Sequence, residues 1–312
     1  MILNEEVLHH RIGENPNRST CQNLDKPVRQ GLDEIMKSQL LDSDLDQILD
    51  VALTACDGAS QILLNHFGHL RSVGEKYQAG LVTEADRNSE TFIVETIRKS
   101  FSDHEILGEE FGRSVGVKST NHDQKSVMWF IDPLDGTTNY VHQLPFFCIS
   151  IGVQIDGRPV VGVVDAPKMG LRFHAIRGRG AFLNGESIRV SEKEQLNDAL
   201  CATGFSKDDP GLALQMQFFM EMLGKSRGIR RVGAAALDLC FVAQGLFDLY
   251  WERNLSPWDT AAGALIAEEA GGSVTDMHGG AFDPMKKSIV CSNRRLHSQA
   301  LRIFKTVFEK NQ

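Results

Sequence analysis

Apolar residues at Leu45, Ile48, Leu49, Ala52, Ala55, Cys56, Ala59, Ile62, Leu63 and Phe67 recur every three or four positions. This spacing predicts an amphipathic helix over 45–67, with a small-residue face for close packing and Gly68 as its stop. A second periodic run, Phe92, Ile93, Thr96 and Ile97, follows Val82-Thr83-Glu84-Ala85-Asp86. A helix is expected to begin in that segment, which makes Asp86 a charge at a helix N-terminus. Between the two, Ser72-Val73-Gly74-Glu75-Lys76-Tyr77-Gln78-Ala79-Gly80 sets glycines around a charged centre. An ordinary connection is the commoner reading of such a segment, and a mobile flap is the alternative.

The period then changes. Val127-Met128-Trp129-Phe130-Ile131 is a short, bounded run of bulky residues and reads as a buried strand, whose hydrogen-bond ladder Pro133 is expected to end. Strand patterns over 146–155, 159–164 and 171–176, an Asp156-Gly157 turn and an Asn184-Gly185 hairpin make an antiparallel meander. Arg177-Gly178-Arg179-Gly180 has two close glycines but does not join a strand to a helix, so it is a turn and not a dinucleotide fingerprint. The C-terminal half alternates strand and helix, with helices over 234–243 and 257–270 and a strand over 288–291. Residues 1–42 carry no sustained period and read as a partly disordered extension ahead of one domain, 43–312.

With 312 residues, 42% hydrophobic and 24% charged, the chain has length enough for a large core. The formal net charge of −8 argues against a general nucleic-acid surface, because neutralising phosphates takes a basic face. Six cysteines, Cys21, Cys56, Cys148, Cys201, Cys240 and Cys291, are dispersed, without zinc spacing, and several lie in apolar stretches as buried thiols. No apolar run approaches the roughly 18 residues of a membrane span, and the first thirty positions lack a signal core. A cytoplasmic protein with no membrane partner is expected.

Candidate chemistry follows the strand at 127–131. Asp132-Pro133-Leu134-Asp135-Gly136-Thr137-Thr138-Asn139-Tyr140 offers two carboxylates, with the Leu134 carbonyl between them, as oxygen ligands of the kind Mg²⁺, Mn²⁺ or Ca²⁺ prefer. Gly136-Thr137-Thr138 then open a short helix whose first N–H groups suit a phosphate. The competing reading is an Asp-Pro turn followed by an Asp cap. Two further segments place acidic residues, Ile106-Leu107-Gly108-Glu109-Glu110-Phe111 and Trp258-Asp259-Thr260-Ala261-Ala262-Gly263. Glu109 and Glu110 also read as solvated loop charges, and Asp259 as part of a capping box in Ser256-Pro257-Trp258-Asp259.

Together the three segments resemble the inositol monophosphatase family of metal-dependent, lithium-sensitive phosphatases. The likeness extends to Val82-Thr83-Glu84-Ala85-Asp86, Gly180-Ala181-Phe182-Leu183-Asn184-Gly185, Ala202-Thr203-Gly204-Phe205 and Gly271-Gly272. The resemblance implies an α/β fold, the layered α-β-α-β-α sandwich of sugar phosphatases, and a homodimer. It implies that Glu109, Asp132 and the Leu134 carbonyl bind one Mg²⁺ and that Asp132, Asp135 and Asp259 bind a second. A third, weaker site lies near Glu109, and Mn²⁺ can substitute. Two carboxylates about 4 Å apart at an effective dielectric of about 20 repel by roughly 4 kcal/mol, so such a cluster calls for cations. The resemblance gives Asp86 and Thr137 the base function for in-line attack of a metal-activated water, and Gly136, Thr137 and Thr138 the phosphate. It makes Glu252 the contact to polyol hydroxyls, alongside a substrate-side loop at Gly233 and Ala234. Ala234 stands where some family members carry Thr or Ser, so one hydroxyl contact is missing. The implied substrate is a small phosphate monoester, inositol 1-phosphate first. Fructose 1,6-bisphosphate, histidinol phosphate, a 3′-phosphonucleotide, or a regulatory binding role on the same fold are the alternatives.

Overall fold

The computed structural model describes residues 26–70, 73–76, 80–116, 126–207 and 209–311. Two compact units divide the chain, residues 1–47 and 48–312. The extension expected over 1–42 lies outside the described residues up to 25. Helix α1 runs Lys26–His66, and its buried residues Ile48, Ala52, Ala55, Cys56, Ala59 and Leu63 follow the expected spacing.

Strands β1 (Val73–Lys76) and β2 (Gly80–Thr83) pair antiparallel, Val73 opposite Thr83. The segment between them, at 77–79, lies outside the described residues, as do 71 and 72, and the flap expectation lies outside with them. Helix α2 (Glu84–Ser100) starts at Thr83, whose side chain caps it. Next come β3 (Glu105–Gly108), β4 (Gly112–Ser114), β5 (Val127–Asp135) and the single turn α3 (Thr137–Val141). The meander follows as β6 (Cys148–Ile155), β7 (Arg158–Ala166), β8 (Leu171–Ile176), β9 (Ala181–Leu183) and β10 (Glu186–Ser187). These strands form one eight-stranded sheet in the order β10-β9-β8-β7-β6-β5-β3-β4, antiparallel except where β3 runs parallel to β5.

A second, five-stranded sheet has the order β12-β11-β13-β15-β14. Its strands are β11 (Leu200–Thr203), β12 (Gly228–Arg230), β13 (Leu249–Arg253), β14 (Gly272–Thr275) and β15 (Ser288–Asn293). Helices α4 (Leu212–Leu223) and α7 (Arg294–Glu309) pack on one another on its outer side. Between the sheets lie α5 (Ala235–Ala243) and α6 (Pro257–Glu269), which touch strands of both. With α2 packed against β5 of the first sheet, this is the expected five-layer α-β-α-β-α sandwich.

The middle layer fits because two strands present bare backbone to it. Gly152 on β6 pairs with Gly162 on β7. A Cβ on Gly152 would stand 2.7 Å from Ala261 Cβ, and one on Gly162 2.8 Å from the Ala262 carbonyl oxygen. Any side chain there would push α6 off the sheet, and with it the helix start that carries Asp259.

Pro133 does not end β5. The strand continues to Asp135 through an irregularity, with Asp132 opposite Ser150 and Asp135 opposite Cys148. Proline is tolerated there because the bulge asks for no N–H donor, and the one extra residue turns Asp132 and Asp135 off the regular pleat.

Candidate active site

Four carboxylates from three chain segments converge on the C-terminal end of β5. Asp132 comes from the strand itself, and its Oδ1 accepts the Leu134 N–H at 3.0 Å. Asp135 follows the bulge, and its Oδ2 accepts the Ala236 N–H at the start of α5 at 2.7 Å. The Cys148 thiol donates to the same oxygen at 3.7 Å. Asp259 sits in the first turn of α6 and completes the expected capping box, its Oδ2 accepting the Ser256 N–H at 2.7 Å. The Ser150 hydroxyl, opposite Asp132, donates to the Trp258 carbonyl at 3.0 Å and ties that turn to β6. Glu109 follows β3, and its N–H donates to the Ile131 carbonyl at 3.1 Å.

These carboxylates act on one another. Burial pushes Asp132 well above the usual carboxylate range, and the charges of Glu109, Asp135 and Asp259 add to it. Asp135 rises to about 6, chiefly through burial and against the Ala236 N–H. Asp259 rises for the same first reason, with Asp135 next. Among the described residues no three His, Cys, Asp or Glu side chains stand as a ready-made metal cage. The three aspartates each turn one oxygen to a backbone N–H and offer buried carboxylate oxygens as donors, with the Cys148 thiol against Asp135. Hard divalent cations are the ions whose chemistry fits such donors.

Asp86 caps α2 with one oxygen and faces Thr137 with the other. Its Oδ2 accepts from the Thr83 N–H at 2.8 Å and from the Thr83 hydroxyl at 2.6 Å, which closes a capping box. Its Oδ1 faces Thr137 Oγ1 at 3.3 Å. Thr137 Oγ1 also stands 3.1 Å from the Leu134 carbonyl oxygen. Gly136, with φ +90, precedes the turn α3, and a Cβ there would lie 3.3 Å from both Ala234 Cβ and the Gly233 carbonyl oxygen. The expected phosphate turn and the expected substrate-side loop therefore abut. Thr138 is exposed, while Asn139 is buried and its Nδ2 donates to the carbonyls of Phe146 and Val232, at 2.8 and 2.9 Å.

Glu252 lies at the end of β13. The Tyr250 hydroxyl donates to its Oε2 at 2.5 Å. A Cβ on Gly204 would overlap the Glu252 carboxylate, so only glycine leaves room for it. Burial, ahead of the charge of Asp135, raises Glu252 to about 7, with the Tyr250 hydroxyl and Arg231 opposing. Asp238, buried in the first turn of α5, is raised by burial and then by the charge of Glu252.

Sequence reasoning missed Ser89, Glu90, Cys148, Ser150 and Tyr250. The one available signal was spacing. Asp86, Ser89 and Glu90 stand at i, i+3 and i+4, so a helix begun at Thr83 puts all three on one face.

The sequence profile of the inositol monophosphatase family matches residues 44–309. Inositol monophosphatase 2 of Solanum lycopersicum is 41% identical over 255 residues, which cover 81% of this chain and 96% of that one. The Nus factor SuhB of Pseudomonas aeruginosa is 41% identical over 256 residues, 80% of this chain and 93% of that one. The crystal structure of the extragenic suppressor protein suhB of Bartonella henselae shares 37% identity and a TM-score of 0.78, covering 83% of this chain and 98% of the other. A likeness of sequence and fold that includes every segment of the carboxylate cluster makes this chain a member of the inositol monophosphatase family, and a phosphatase of that family.

Proposed function

We propose that the chain hydrolyses a polyol phosphate monoester, inositol 1-phosphate first among them, with Mg²⁺ as cofactor and Mn²⁺ as a substitute. The observation that carries this reading is the approach of Thr137 Oγ1 to Asp86 Oδ1, 3.3 Å, beside the mutually repelling carboxylates. Glu109, Asp132 and the Leu134 carbonyl would hold one ion and Asp132, Asp135 and Asp259 a second, with a third, weaker site at Glu109. Bound there, Mg²⁺ would supply the charge that offsets the carboxylates and Lewis acidity toward the phosphoryl oxygens.

The chain's own residues handle the proton. Asp86, its other oxygen fixed by Thr83, draws the Thr137 hydroxyl proton toward itself. The Thr137 lone pairs are then free to accept a proton from the water that attacks phosphorus in line with the leaving oxygen. Phosphate is placed against the backbone of Gly136, Thr137 and Thr138. On the leaving-group side, the Tyr250 hydroxyl occupies Glu252 Oε2 and leaves Oε1 to accept from a polyol hydroxyl, next to the loop at Gly233 and Ala234. The missing hydroxyl at Ala234 argues for a site less strict than one reading every ring oxygen.

The same reading has a cytoplasmic homodimer, inhibited by Li⁺, with no membrane or general nucleic-acid partner. Five buried free thiols among the described residues suit a reducing compartment, and no helix among the described residues is long and apolar enough to cross a membrane. A second, regulatory role is favoured by the relative named as a Nus factor, and would appear as recovery of RNA polymerase or ribosomal proteins with the Asp132→Asn chain.

The test is phosphate release from inositol 1-phosphate, fructose 1,6-bisphosphate, histidinol phosphate and a 3′-phosphonucleotide, with Mg²⁺ and with chelator. Activity should vanish in chelator and fall at least about a hundredfold in Asp132→Asn, since that carboxylate is assigned to both ions. Full turnover in EDTA, or preference for the 3′-phosphonucleotide over every polyol phosphate, would refute it.

A further inference from the structure

One face of α2 reaches three parts of the site. Asp86, Ser89 and Glu90 are 0, 0 and 1% exposed, so this face is wholly inside the protein. Asp86 meets Thr137, as described. The Ser89 hydroxyl donates to the Pro133 carbonyl at 3.1 Å, between Asp132 and Leu134. Glu90 Oε2 accepts the Glu110 N–H at 2.7 Å, and Oε1 accepts the Phe111 N–H at 3.0 Å.

Glu90 also lies flat on the residue before Glu109. A Cβ on Gly108 would stand 2.1 Å from Glu90 Oε1, so glycine there and the carboxylate are matched in shape. The turn carrying Glu109 is thus held at successive residues. Gly108 is backed by Glu90, the Glu109 N–H is bound to β5, and the next two N–H groups are gathered by the same carboxylate. A carboxylate accepting two backbone N–H groups makes strong, directional bonds, and no neutral side chain offers two acceptor oxygens in that geometry.

We propose that Glu90 is a positioning residue that sets the place of Glu109, with Ser89 doing the same for the bulge between Asp132 and Asp135. Outer groups that hold a ligand's backbone typically change metal affinity by about 10–100-fold when altered. The inference rests on Glu109 being a metal ligand. It differs from a purely structural role, in which a buried Glu satisfies a loop and its loss lowers the melting temperature only.

The experiment is a titration of the metal-free full chain with Mn²⁺, free ion followed by electron paramagnetic resonance, beside thermal melting of each variant. In Glu90→Gln the new amide group faces one of the two N–H donors, so one bond is lost and a donor opposes a donor. Glu90→Asp keeps the charge and shortens the reach, and stands in if Glu90→Gln does not fold. Val307→Ala, a buried position on α7, the helix outside the second sheet, supplies a destabilised control away from the site. Glu90→Gln or Glu90→Asp should weaken Mn²⁺ binding about tenfold or more, while Val307→Ala leaves it unchanged at a similar loss of melting temperature. Mn²⁺ affinity of both Glu90 variants within threefold of the parent, with Glu109→Gln clearly weakened, overturns the positioning role and leaves the metal reading standing. An unchanged affinity in Glu109→Gln removes the metal-ligand reading and this inference with it.

Discussion

Glu252→Gln separates recognition of the polyol from chemistry at phosphorus. In the structure one carboxylate oxygen is occupied by the Tyr250 hydroxyl at 2.5 Å. The amide carbonyl of Gln can keep that bond, which turns its NH₂ group toward the place assigned to the substrate. An acceptor becomes a donor, so a substrate hydroxyl that donated to Glu252 loses its partner while the fold keeps its own. A hydrogen bond to a charged group contributes about 1.5–3 kcal/mol, equivalent to roughly 10- to 150-fold in kcat/KM at about 1.4 kcal/mol per decade. Inositol 1-phosphate should lose that factor, whereas a small aryl phosphate without ring hydroxyls should be hydrolysed almost as before. The assay is steady-state phosphate release on both substrates at saturating Mg²⁺. Tyr250→Phe adds a check, because it frees Glu252 to turn without removing it and should cost the polyol phosphate less than Glu252→Gln does. An equal fall on both substrates would refute the reasoning and place Glu252 among the groups that support the fold or the metal site.

Thr137→Ala and Asp86→Asn should each lower kcat by about 10²–10⁴-fold with little change in KM, and the double variant should cost less than the two combined, because the pair acts on one proton; strict additivity in single-turnover rates would argue against a shared role. Acid stability should depend on His297, whose Nδ1 and Nε2 lie 2.8 Å from Ser292 Oγ and 2.9 Å from Thr275 Oγ1. Burial lowers its pKa, so the folded state prefers the neutral ring. The stability tied to that preference is present above the unfolded pKa of about 6.5 and is lost as pH falls through the lower, folded value. His297→Gln should therefore lose less stability than the parent between about pH 7 and about pH 5, measured by thermal melting, and an equal loss would show that other groups set the acid limb.

Much of the local structure was legible because it depends on neighbours in the chain. Thr83 and Asp86 stand three apart, as do Ser256 and Asp259, and in both cases the capping box forms as that spacing dictates. The meander followed from alternation and from turn residues, with Asp156 and Asn184 both at positive φ before glycines. The helix α7 was equally legible in Leu296, Ala300, Phe304 and Val307, all buried at helical spacing. Pro133 misled because a missing donor stops a regular ladder but not a bulged one.

The sequence by itself determined which residues cap, which faces are apolar, and that the acidic residues belong to segments able to turn them outward from an element's end. It could not decide whether an acid was a cap or a member of a shared site, because both uses draw on different oxygens of one carboxylate. That choice belonged to the tertiary structure. Only the approach of α6 to the bare backbone of Gly152 and Gly162 brings Asp259 to Asp132, and only the crossing of α2 over β3 and β5 brings Glu90 to the turn of Glu109. Such meetings join positions far apart in the chain, where no helical or strand period constrains the pairing and packing alone fixes the distance.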